Sequence, residues 1–92
     1  MDRLEAIFDR GRRAQAVLDN ETVVEALDHI SETLLRQWRS TTSTMTITRE
    51  TLFHQVAAMD ALRAQLRSWV DTAKFEQDKL DKKNDRKFRV VR

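Results

Sequence analysis

The 92 residues contain no cysteine, no proline and one glycine, Gly11. The lack of cysteine excludes a disulfide framework, a thiolate nucleophile and a cysteine-based zinc site, and suits an intracellular site of action. With proline absent and glycine confined to one position, little interrupts helix, and the abundance of Ala, Leu, Arg, Glu, Asp and Gln favours it nearly throughout. Uninterrupted apolar runs are only a few residues long, too short for a transmembrane helix or a secretory signal, so a soluble chain is expected. These properties predict an all-α protein of one domain with a small core.

The formal net charge of +2 conceals a segregation. Residues 1–73 hold nine Lys/Arg and eleven Asp/Glu, whereas residues 74–92 hold eight basic and four acidic residues. A basic end on a slightly acidic body points to an anionic partner, either nucleic acid or an acidic protein surface.

The strongest periodicity lies between Arg49 and Leu80. Leu52, Val56, Met59, Leu62, Leu66, Trp69, Val70 and Ala73 advance by three or four, and Leu52, Met59, Leu66, Ala73 and Leu80 fall seven apart. The spacing predicts a helix over 49–80, a rod of roughly 48 Å with one apolar face. A first helix is expected over 2–18, with Leu4, Ile7, Phe8, Ala14, Val17 and Leu18 on one side. Within it, Gly11 reads equally as a hinge or as a notch for close helix approach. The neighbouring Arg10, Arg12 and Arg13 read as a solvated face, with an anion contact as the alternative. A second helix is expected over 21–39, its apolar side carried by Val23, Val24, Leu27, Ile30, Leu34, Leu35 and Trp38, with Asp19 and Asn20 as punctuation. Trp38 and Trp69 are expected in the core.

Residues 40–48 (STTSTMTIT) break the helical pattern with hydroxyl and β-branched side chains and predict a hairpin loop, a short strand over 44–48 being the alternative. Thr48 suits the N-cap of the long helix, and Ile47 and Leu52 then stand where a hydrophobic staple forms. The second helix is about 28 Å long and its antiparallel partner roughly 48 Å, so something must cover the difference. Either the first helix folds back or a second subunit supplies the cover. Arg63 and Gln77, polar at otherwise apolar heptad positions, fit a register between chains, although Arg63 can also reach Asp60 or an acid of the second helix. Beyond Leu80, residues 81–92 read as a basic, β-prone tail. There Lys79, Lys82, Lys83, Arg86, Lys87, Arg89 and Arg92 supply charge for a partner or nucleic acid, and Phe88 an anchor.

No catalytic constellation stands out. His29 and His54 are isolated, with no His-x-x-x-His or Glu-x-x-His pairing, so metal ligation is not expected. Carboxylates alternate with Arg and Lys as surface pairs do, and there is no glycine-rich phosphate loop or nucleophile elbow. No enzyme activity, cofactor or membrane contact is expected. The basic end alone would bind phosphates with strong salt dependence and little sequence preference.

Four stretches carry a family resemblance: Arg13-Ala14-Gln15-Ala16-Val17-Leu18-Asp19-Asn20, Trp38-Arg39-Ser40-Thr41, Arg49-Glu50 with Leu52, and Met59-Asp60-Ala61-Leu62-Arg63 with Leu66. Over residues 10–80 the chain resembles short α-helical proteins of tailed bacteriophages and prophages. The resemblance implies a role in genome packaging, head assembly or the head-to-tail junction. The layout is similar to the oligomerisation core and C-terminal segment of small terminase subunits, which form rings and recruit the packaging motor. The DNA-recognition domain typical of that family has no counterpart here, and sequence-specific DNA binding is not expected.

The resulting expectation is an antiparallel helical hairpin with a shorter N-terminal helix, self-associating through the apolar faces of Val23 to Trp38 and Leu52 to Ala73, with a helical domain over 1–80 and a basic tail. It is expected to form a homo-oligomer and to meet another phage assembly or packaging protein, in the host cytoplasm during assembly or in the virion. Two other classes stand beside it: a small phage regulator or inhibitor that binds a host protein, and a non-specific DNA binder acting through the tail.

Overall fold

Short polar side chains set where the first two helices begin. Asp2 Oδ1 accepts the Glu5 amide at 2.7 Å, and Asn20 Oδ1 accepts the Val23 amide at 3.1 Å. The computed structural model describes the backbone of residues 1–90 and the side chains of residues 1–85. Among the described residues there are three helices and no strand: α1 over Arg3–Leu18, α2 over Glu21–Arg39 and α3 over Thr46–Val90. The chain is therefore all-α, and α2 starts and stops where its apolar spacing and punctuation place it. Its C-terminus is closed by Ser40, whose amide donates to Arg36 O and Gln37 O, each at 3.2 Å, and whose hydroxyl donates to Gln37 O at 2.7 Å.

Helix α3 is longer than its sequence signals predict at both ends. The amide of Arg49 donates to Met45 O at 2.9 Å, so the first helical residue is Thr46 and Thr48 lies inside the helix rather than at its cap. Ile47 is 83% exposed, and the expected staple to Leu52 is absent. The turn ahead of it is held by Met45 N–H donating to Thr42 O at 3.0 Å, which replaces both the longer loop and the alternative strand. At the other end the helix does not stop at Leu80 but runs through Val90. The stretch contains no Pro or Gly and is rich in Lys, Arg and Asp, and a hydrogen bond from Gln77 to Asp81 at 3.0 Å spans one turn across the expected boundary. The expected β-prone character over 81–90 gives way to this continuous helix. The side chains of Arg86, Lys87, Phe88 and Arg89, and all of Val91 and Arg92, lie outside the described residues.

The chain divides into two units, and α3 contributes to both. One unit comprises residues 1–16 and 66–92. Here α1 lies antiparallel to α3: Arg3 meets Glu76 at 3.8 Å, and the Arg10 guanidinium stands 5.1 Å from the centroid of the Trp69 ring. The first helix thus packs within its own chain. Gly11 and Ala14 are buried, as are Leu66, Val70 and Glu76. Gly11 serves as the packing notch and not as a hinge, because a Cβ at this position would collide with the Cβ of Ala73.

The other unit comprises residues 17–65, an antiparallel pairing of α2 with the first half of α3. The Arg63 guanidinium bonds Asp28 at 2.8 Å and Ser31 Oγ at 3.4 Å. Near the turn, the Arg49 guanidinium stacks 4.2 Å from the Trp38 ring centroid and donates to Thr41 Oγ1 at 2.9 Å. Trp38 is consequently an exposed stacking partner rather than a core residue. Leu52 is the buried apolar residue of this unit among those described, with Val23, Val24, Leu27, Leu34, Val56 and Met59 half-covered.

Candidate functional site

A helix face is selected by which residues share an angle, and among the buried and half-buried positions of α3 one line runs through Leu52, Val56, Met59, Arg63, Leu66, Val70 and Ala73. These alternate steps of four and three, the heptad seam of a helix packed along its length. Leu62 falls one residue off this seam and is 47% exposed, so its expected place on the covered ridge is corrected: Arg63 occupies that position instead. Lower down, Glu76 is buried while Gln77 is exposed. Glu76 is held between Arg3 at 3.8 Å and Lys79 at 3.4 Å, which lets a carboxylate occupy the covered side. Trp69 is half-buried beneath Arg10, in part meeting the core expectation for it.

Of the residues expected to form an association surface, Leu52, Leu66 and Val70 are buried within the chain. Val23, Leu27, Leu34, Val56, Met59 and Trp69 are half-covered, and Ile30, Trp38 and Leu62 are exposed. Phe53 and Phe75, which the periodicity does not single out, are 63% and 61% exposed. Phe53 packs edge-on to His54 with ring centroids 5.7 Å apart, and Phe75 lies 5.1 Å from the Lys79 ammonium. The seam is covered along one line and open at its flanks.

Each unit also carries a groove. In the 17–65 unit, Leu18, Val24 and the acids Asp19, Glu21, Glu25, Asp28 and Glu32 line a groove of about 550 Å³, with His29 beside them. Glu21, Glu25, Asp28 and Glu32 step by four, three and four along α2, a stripe visible in the sequence once acidic as well as apolar spacing is followed. In the other unit, Phe8, Gly11, Val70 and Ala73 form the floor of a groove of about 380 Å³, rimmed by Arg12 and Lys74. Its one signal in the sequence is Gly11, read as a possible notch for close helix approach; the residues of α3 that it meets are not given by any local pattern. Lys79, Lys82 and Lys83 are exposed on the following turns of α3.

Among the described residues, no group of three or more His, Asp and Glu side chains converges on a common point, and no helix is long and apolar enough to cross a membrane. The geometry offers surfaces for recognition: an apolar seam with open flanks, an acidic groove and a cation-rimmed groove. No protein-family model, curated protein or solved structure matches the chain.

Proposed function

We propose that this is a non-enzymatic helical assembly protein that self-associates through the open flanks of the α2–α3 seam. The observation that carries the reading is the thinness of the core. Among the described residues only Ala14, Leu52, Leu66 and Val70 are buried apolar side chains, while Ile30, Leu35, Trp38, Phe53 and Leu62, all in the 17–65 unit, stay exposed. Pairing of seams between copies buries such flanks as a helix bundle does, and each fully covered Leu, Ile or Phe contributes about 1.5–3 kcal/mol.

The setting comes from the sequence resemblance over residues 10–80: genome packaging or virion assembly in a tailed phage, with another assembly protein as partner. The exposed Lys79, Lys82 and Lys83 give α3 a cationic stretch suited to that contact.

Light scattering on the purified chain at micromolar concentration tests the association. A mass above that of one chain is expected, together with its reduction in Ile30→Arg at unchanged helicity; a monomer whose mass is the same in high salt removes the reading. Mass spectrometry of purified particles and of infected-cell lysate then tests the setting. Finding the protein only in the soluble lysate, bound to a host protein, replaces assembly with a regulatory role.

A further inference from the structure

Net charge divides along the same line as the two units. The unit of residues 1–16 and 66–92 contains thirteen Lys/Arg against eight Asp/Glu, a net of +5, and the unit of residues 17–65 contains four against seven, a net of −3. The whole of that +5 comes from residues 79–92, with seven Lys/Arg against two Asp/Glu, but the charged residues lining each groove are also of one sign. Lys74 and Arg12 stand over an apolar floor of Phe8, Gly11, Val70 and Ala73. Lys74 has no ion pair among the described residues, and Arg12 is exposed with a single surface partner, Asp9, at 3.2 Å. On α2, Glu21, Glu25 and Glu32 are exposed and also without an ion pair among the described residues. They border Val24 and Leu18, which are half-buried.

We propose that the cation-rimmed groove of one copy receives the acidic face of α2 from a second copy. This inference rests on the reading that copies associate and adds to the seam flanks a second contact, one that joins unlike surfaces. Val24 and Leu18 bring apolar area to the groove floor, while Glu21 and Glu25 meet Lys74 and Arg12. The Asp28–Arg63 bond inside the acidic copy keeps its partner and needs no rearrangement. A carboxylate and a cation brought together at a partly dehydrated apolar surface attract more strongly than in bulk water, and like charges there repel as strongly. Such a contact leaves one groove and one acidic face unfilled at the ends of any open assembly, so copies add head to tail until the contacts close into a ring or continue as a filament.

Charge exchange in the full-length chain tests it, with analytical ultracentrifugation at micromolar concentration and low salt as the readout and circular dichroism as the check on folding. Lys74→Glu and Glu25→Lys are each expected to weaken association by about tenfold or more, and the chain carrying both to recover most of that loss. A folding defect in either single variant would not be repaired by the other, so recovery in the double variant supports the contact even if one single variant is poorly folded. Raising salt from about 0.05 to 0.5 M is expected to weaken the wild-type assembly by a similar factor. An assembly whose mass ignores both single substitutions, or that tightens in salt, overturns the head-to-tail contact while leaving self-association standing. A wild-type chain that is monomeric in every condition overturns both.

Discussion

Gly11 lies against Ala73 so closely that a Cβ built on the glycine overlaps the alanine methyl and comes within 3.2 Å of the Trp69 carbonyl oxygen. Gly11→Ala gains about 1 kcal/mol of helix propensity but forces two backbones apart, and overpacking of this kind costs about 1–3 kcal/mol. A net loss of roughly 1 kcal/mol is expected in urea unfolding followed by circular dichroism. Exchanging the two residues, as Gly11→Ala with Ala73→Gly, should recover much of the clash, whereas a hinge role for Gly11 would leave the exchange no better than the single change.

The pair Arg63 and Asp28 bonds at 2.8 Å with side chains 26% and 56% exposed, so solvent screens it considerably. A double-mutant cycle with Arg63→Met and Asp28→Asn is expected to give a coupling of about 0.5–1 kcal/mol that shrinks in high salt. A coupling near zero would mean that Arg63 contributes through its aliphatic stem alone.

Arg49 ties the start of α3 to the end of α2 by stacking on Trp38 and donating to Thr41. Arg49→Lys retains the charge but loses the planar guanidinium, and about 1 kcal/mol of stability should go with it. In a Trp69→Phe background, the fluorescence of Trp38 reports the stack directly. Unchanged emission after Arg49→Lys would show that the stacking does not persist in solution.

Asn20 provides the side-chain cap of α2. Asn20→Ala should cost about 0.5–2 kcal/mol, while Asn20→Asp and Asn20→Ser should stay close to wild type. Equal losses for all three in a thermal melt would contradict the cap.

The helices were legible because their signals are local. The spacing of Val23, Leu27, Leu34 and Trp38, and the punctuation at Asn20, act within a few residues. The start of α3 was not legible in the same way. Thr48 and Met45 both precede helical sequence, and the choice falls to the turn that Thr42 and Met45 close. Its end is obscured for a different reason: the pattern of Phe88, Val90 and Val91 resembles a strand, but no neighbouring strand exists among the described residues, and the Lys- and Asp-rich turns before it favour continued helix. Covered positions were readable to within one residue. Arg63 takes the covered heptad position that its spacing gives it, with Asp28 as its partner, and Leu62 beside it is exposed; Gln77 yields the covered side to Glu76, whose charge Arg3 and Lys79 meet. The grooves depend on contacts between residues tens of positions apart, as between Gly11 and Ala73, and no local pattern encodes them.

That only four apolar side chains are buried among the described residues has a consequence for the life of the chain in a cell. Under the proposed self-association, a molecule with so little interior would open more readily when dilute, and open chains are what proteases consume. Neighbours that bind only the folded form raise its stability by mass action. Its turnover would then track its own abundance: scarce copies are cleared quickly, and plentiful ones protect each other.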